Sequence, residues 1–289
     1  MSINFLIKVF TSLMFRTNLA QRVSILEKNQ KIFTNYLLDN SFVLNSYSKL
    51  LSCLEVMSPQ AEEVIRYGPA GDGGYLLVNK FEQIDKVVSL GVGRNIDIEL
   101  YFANLGKEIL LFDGTIMSLP RSHNKFEFFN SNVYGTIPTT PNSSTFILVN
   151  DIFSSHLQSS AKEFFKSEIL FFIDIEGCEY DLIMNLERSN LEVCQQITIE
   201  FHDIFKQITQ NNAVIFDALT KLRETHELIS VHGNNYGASF QANGMDYPDV
   251  LETTWLRKDL STFVKGKNNF NPVLNKPNNP LARELALEW

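Results

Sequence analysis

The chain has 289 residues, 44% hydrophobic and 20% charged, enough apolar material for a substantial core and too much for a disordered or fibrous protein. Its 33 acidic against 25 basic side chains give a formal net charge of −8, which excludes a nucleic-acid binder built on clustered Lys and Arg. Cys53, Cys178 and Cys194 stand far apart with no CxxC pair, which argues against a disulfide framework or a cysteine zinc site and fits a cytoplasmic setting.

In chain order, Phe5, Leu6, Val9, Phe10, Leu13 and Met14 come first, recurring at helical spacing with Lys8 and Arg16 off the stripe. The stretch is well short of the roughly 20 apolar residues that cross a bilayer, and no small-residue cleavage site follows it. Two readings of residues 1–16 stay open. One is a helix packed on the body or on a second subunit of a homo-oligomer. The other is a helix lying in a membrane plane with a cationic rim, which would make the protein peripheral to the membrane. Helical patterning continues through Val23, Leu26, Phe33, Tyr36 and Leu37. Residues 1–60 are therefore expected as an N-terminal helical arm, 61–265 as the main domain, and the Asn/Pro-rich 266–289 as a C-terminal tail.

From residue 64 the texture changes. Residues 64–67 and 75–78 flank GPAGDGG and predict a hairpin, with Asp72 and Tyr75 on a flap. Strands are then expected at 86–90, 109–112, 126–133, 169–175, 197–201, 228–231 and 250–256. Helical patterns separate several of them: one ends at Gly106, one is capped by Asn150 or Asp151 and runs to Lys166, and one carries Val214, Ile215, Ala218, Leu219 and Leu222 on a single face. Alternation of this kind predicts an α/β fold with a doubly wound, mostly parallel seven-stranded sheet.

In open α/β sheets the chemistry gathers beyond the strand ends. The strand at 86–90 runs into Gly91-Val92-Gly93, and the next ends in Asp113 about 20 residues on, the logic of a nucleotide-like ligand site. The glycines admit the ligand to the backbone, and the acid accepts from ribose hydroxyls. The third glycine of the dinucleotide fingerprint is missing, since Asn95 and Ile96 follow Arg94. A ligand without phosphates is favoured, and S-adenosylmethionine is one. At 169–181 an apolar run ends in Asp174, Glu176 and Glu179 around Gly177. Further candidates stand at later strand ends: Glu200, His202 and Asp203, then His232, Asn234 and Asn235. Glu179 and Asp203 also have a plain reading as first-turn acid and cap.

The series KVVSLGVGRN, EILLFDGT, ILVNDIFSSHL and EILFFIDIEGCEYDLI resembles the FkbM-type class I S-adenosylmethionine-dependent methyltransferases, and GDGGY, ITIEFH, HGNNYG and VLETTWLRK resemble one branch of them. The similarity covers roughly residues 64–260. It implies a Rossmann-like methyltransferase domain that moves a methyl group to an oxygen, commonly a hydroxyl of a sugar, glycan or natural product. It also implies that Gly91 and Gly93 line the methionine part of the cofactor, that Asp113 holds the ribose, and that Ser131 and Asn132 lie near the adenine. Ser89 departs from the pattern, standing where an acid is usual, so Asp174 or Glu176 is expected to supply the missing charge.

A hydroxyl acceptor must lose its proton, either to a base or under the pull of a divalent cation such as Mg2+. Asp174, Glu176 and His202 are the expected catalytic residues, with His202 the favoured base. Asp174, Glu200 and His202 are the candidate metal ligands. Two other classes stay open on the same sheet: a nicotinamide or nucleotide-sugar enzyme, and a cofactor-binding scaffold without turnover.

Overall fold

Seven strands meet in one sheet in the computed structural model, which describes residues 41–139, 145–157, 168–209, 214–242, 244–266, 274–285 and 287. The amphipathic stretch at 1–16, and the rest of the arm to residue 40, lie outside the described residues. The strands are β1 (Ile84–Leu90), β2 (Glu108–Phe112), β3 (Phe126–Phe129), β4 (Glu168–Ile173), β5 (Cys194–Phe201), β6 (His226–Gly233) and β7 (Leu251–Arg257). Their spatial order is β6-β7-β5-β4-β1-β2-β3. The pairs from β5 through β4, β1 and β2 to β3 are parallel. Only β7 is reversed, antiparallel to both β5 and β6. An antiparallel neighbour needs no crossover helix, and a small hairpin, Ser239–Ala242 against Met245–Pro248, fills the β6–β7 connection.

Alternate residues of the central strands serve opposite faces. Val88, Leu90, Phe171 and Ile173 join one core cluster, whereas Val87, Leu170 and Phe172 join another. Both faces are therefore covered, and all six positions of β4 are buried, which is why its sequence is an unbroken apolar run. Helices α1 (Ser41–Cys53), α2 (Asp97–Asn104), α3 (Val149–Ile152), α4 (Glu179–Asn185), α5 (Arg188–Leu191), α6 (Ile204–Thr209) and α7 (Val214–Thr225) flank the sheet. Tyr47 of α1, Leu182 of α4, Phe205 of α6 and Leu222 of α7 share the first cluster, and Phe102 of α2 the second. The described end of the expected arm is thus packed into the domain core through Tyr47, Leu50 and Leu54.

Several expectations meet the structure directly. The hairpin pairs Val64–Tyr67 with Tyr75–Val78, and Gly106 ends α2 at φ 86° with its N–H on the Ala103 carbonyl. The strand expected at 126–133 divides. β3 stops at Phe129, and Asn132–Tyr134 pairs instead with Phe146–Leu148. The helix expected to follow a cap at Asn150 or Asp151 begins ahead of both, at Val149, without a side-chain cap, and widens into a π turn over Phe153–Leu157. Residues 158–167, its expected remainder, lie outside the described residues. The Asn150 side chain accepts from the Glu187 N–H instead, tying α3 to α5. Of the tail, residues 274–285 fold back over the ends of β6 and β7, where Glu284 meets His232 and Asn278 meets Glu252. Among the described residues no helix is long and apolar enough to cross a membrane.

Candidate functional site

The chain leaves β1 for β2 on one side and returns to β4 on the other, so the sheet changes direction of growth between β1 and β4. Ligands of open α/β sheets settle beyond the carboxyl ends of strands at such a point. A crevice of about 500 Å³ lies there, and Gly91, Gly93, Asp113, Asn132, Asp174 and Glu176 all line it. The lining carries five carboxylates, of Asp72, Glu99, Asp113, Asp174 and Glu176, against one arginine, Arg94.

On the β1–β2 side the two glycines do different work. Gly91 sits at φ 78°, and a Cβ there would overlap the Asp174 carbonyl oxygen, so glycine is required to pass β1 against β4. Gly93, at φ 58°, faces open space, which leaves its surface free for a ligand. Asp113 is 5% exposed. One of its oxygens accepts from the Gly93 N–H at 2.7 Å, and the other accepts from the Thr115 N–H and hydroxyl, each at 2.6 Å. The carboxylate therefore shapes the glycine loop as well as facing the crevice. Asn132 lies across from it, against Gly114.

Sequence reasoning missed Glu99. The Ser89 hydroxyl donates to it at 2.7 Å, its other oxygen is buried without a partner, and the residue is 4% exposed. Burial pushes this carboxyl up to about 7 against the pull of Ser89. Asp174 or Glu176 is the acid expected to supply the charge lacking at Ser89; the carboxylate that Ser89 meets is Glu99, from the following helix. The signal was present as Glu99 in the first turn of α2, but first-turn acids are common for electrostatic reasons alone.

On the β4–β5 side His202 sits among four acids. Its Nε2 lies 3.7 Å from Asp174, 3.7 Å from Glu176 and 3.2 Å from Glu200, and its Nδ1 lies 2.9 Å from Glu179. Burial alone would lower the imidazole pKa, but hydrogen bonds with Glu179 and Glu200 outweigh it and raise it to about 11. Burial, reinforced by Glu200, pushes the Asp174 carboxyl well above its ordinary value. Glu200 rises to about 7, mainly by burial, with His202 pulling the other way. Glu179 is more than a first-turn acid: it is fully buried, accepts from the Ile175 and Gly177 N–H groups, and holds His202. Glu176 and Asp203 adopt positive φ of 53° and 56°, bending the chain at both strand ends.

The remaining candidates serve the neighbourhood. Asn234 donates to Glu200 at 2.9 Å. His232 bridges Glu252 and Glu284, and Asn235 donates to the Asn279 and Arg283 carbonyls, so these two fasten the C-terminal segment. Of the two tyrosines in the β6–β7 connection, Tyr236 is 60% exposed, whereas Tyr247 is 4% exposed and stacks on Phe240 in the core. No protein-family model matches this chain, and no curated protein matches it either.

Proposed function

We propose that the protein is an S-adenosylmethionine-dependent O-methyltransferase, acting on a hydroxyl of a sugar, glycan or small natural product, with the doubly wound Rossmann-like arrangement and the FkbM-type kinship its motifs resemble. The observation that carries this reading is the charge of the crevice: five carboxylates and one arginine line it. A dinucleotide or nucleotide sugar would bring a diphosphate to the N-terminus of α2, where Asp97 and Glu99 stand in place of a phosphate cradle. A sulfonium and an ammonium gain from the same carboxylates.

In this reading Gly91 and Gly93 admit the methionine part, Asp113 accepts from the ribose hydroxyls, Asn132 flanks the adenine, and Glu99 takes the ammonium. Asp174 and Glu176 form the wall toward the acceptor. The acceptor oxygen attacks the methyl carbon, the methyl–sulfur bond breaks, and S-adenosylhomocysteine leaves. The acceptor proton passes into the carboxylate-rich wall rather than to His202. Asp174 and Glu176 line the crevice and His202 stands behind them, so in this reading a wall carboxylate takes the part the sequence suggested for His202.

A thermal-shift panel of S-adenosylmethionine, S-adenosylhomocysteine, NAD+, NADH and a nucleotide sugar tests the reading. The two sulfur ligands should raise Tm by several degrees and the phosphate-bearing ones should not. The reverse pattern would assign the crevice to the nicotinamide or nucleotide-sugar class. Binding of the sulfur ligands without turnover on any hydroxylated acceptor would leave a cofactor-binding scaffold.

A further inference from the structure

Behind the Asp174–Glu176 wall of the crevice, the His202 imidazole stands among four carboxyl groups. One ligand atom each from Asp174, Glu200 and His202 lies within 4.8 Å of the others, the spread of donors that can close on a single ion at about 2.0–2.6 Å. Among the described residues, no lysine or arginine forms an ion pair with Asp174, Glu176, Glu179 or Glu200; His202 is their shared partner. Glu200 also shares a second trio of the same spacing with Asp72 and Glu252, which deepens the negative potential.

Two buried carboxylate oxygens, one on the partly exposed Asp174 and one on the fully buried Glu179, add a second observation. The Oδ1 of Asp174 is sealed from solvent and accepts no hydrogen bond, although it lies 3.7 Å from His202 Nε2. A buried carboxylate oxygen left bare in this way costs free energy unless something positive meets it. Glu179, with no exposed surface, fixes His202 through Nδ1 while its own second oxygen has no partner. A carboxylate on one ring nitrogen is how metal-binding histidines are aimed, since it leaves the other nitrogen directed at the ion.

We propose that Asp174, Glu200 and His202 form a divalent-cation site, with Glu179 as the positioning residue behind His202. Two carboxylates and one imidazole make a mixed oxygen–nitrogen set, which suits Mn2+ or Zn2+ better than Ca2+. The site adjoins the acceptor wall of the crevice, so a bound cation is placed to hold an acceptor oxygen; that role, unlike binding itself, rests on the methyl-transfer reading.

The test is a titration of Mn2+ into the metal-stripped full chain, following loss of the free-ion electron paramagnetic resonance signal. The expected result is one bound Mn2+ per chain. Asp174→Asn and Glu200→Gln should each weaken it at least tenfold, and Glu179→Gln should weaken it about 10–100-fold, with circular dichroism confirming that each variant is folded. An unchanged Mn2+ signal with folded wild-type protein at millimolar concentrations would overturn the proposal. So would wild-type affinity in a folded Asp174→Asn/Glu200→Gln double variant. Calorimetry with S-adenosylhomocysteine on the same stripped protein keeps the two readings apart: cofactor binding without Mn2+ binding sinks the cation site alone, and Mn2+ binding without cofactor binding sinks the methyl-transfer reading alone.

Discussion

The Ser89 hydroxyl donates a 2.7 Å hydrogen bond to Glu99, so the short polar residue near the end of β1 orients the acid that α2 delivers to the crevice. The free Glu99 oxygen is where a ligand ammonium would gain most. Glu99→Gln should weaken S-adenosylhomocysteine about 10–100-fold, the worth of a charge-assisted hydrogen bond. It should leave Tm unchanged or raise it, because a buried carboxylate without a full set of partners is removed. Calorimetry and a melting curve on the same preparation check both halves; equal affinity would remove Glu99 from the cofactor site.

The glycines of the first loop should separate structure from binding. Gly91→Ala places a Cβ on the Asp174 carbonyl oxygen, so β1 and β4 must part, and the expected outcome is loss of soluble folded protein. Gly93→Ala meets no atom within 4 Å and costs only its positive φ, about 1 kcal/mol. Its Tm should fall by a few degrees while cofactor affinity falls more steeply. A well-folded Gly91→Ala protein would contradict this close approach of the Gly91 turn to Asp174.

The base of the sheet is clamped by Arg257, 8% exposed, whose terminal nitrogens donate to both Glu168 oxygens at 2.6 and 2.8 Å. This pair ties the end of β7 to the start of β4. Arg257→Met strands a buried carboxylate and should cost about 3–5 kcal/mol in chemical denaturation. Pairing it with Glu168→Leu should restore part of that stability, since two apolar residues leave no bare charge.

His226 gives the protein an acid-sensitive core. Its Nε2–H donates to the Cys194 carbonyl at 2.9 Å, and its Nδ1 accepts from the Thr225 hydroxyl at 2.8 Å, so the buried ring is neutral. Burial lowers its pKa from 6.5 to about 4. Between those values the unfolded chain binds the proton and the folded chain does not, so stability falls as pH drops from 6.5 toward 4. Urea unfolding at pH 7 and pH 5 should show the wild type losing about 2 kcal/mol more than His226→Gln. Parallel losses in the two proteins would remove His226 as the cause.

What was legible in the sequence is what burial imposes on every residue of a segment. β4 is covered on both faces and reads as EILFFI, and Gly106 marks the end of α2 because only that position turns left-handed after it. β3 was harder: its residues are only partly buried, so no sharp change of pattern separates Phe129 from the neighbouring Asn132–Tyr134 strand. The site residues Gly91, Asp113, Asn132 and Asp174 could be placed because strand ends define the crevice. Glu99 and Glu179 were not, because each stands in a helix first turn where an acid already has a reason to be, and their partners Ser89 and His202 come from other elements. The burial of Tyr247 depends on its hairpin, in which it pairs with Phe240, packing onto Tyr47 of α1, a contact no local pattern encodes.

The most direct test of the methyltransferase account is isothermal calorimetry of S-adenosylhomocysteine into the wild-type chain, repeated with Asp113→Ala. The account predicts a single site per chain in the wild type and its loss in the folded variant. A folded wild-type protein that takes up no S-adenosylhomocysteine, or a variant that binds it as well as the wild type does, would contradict it.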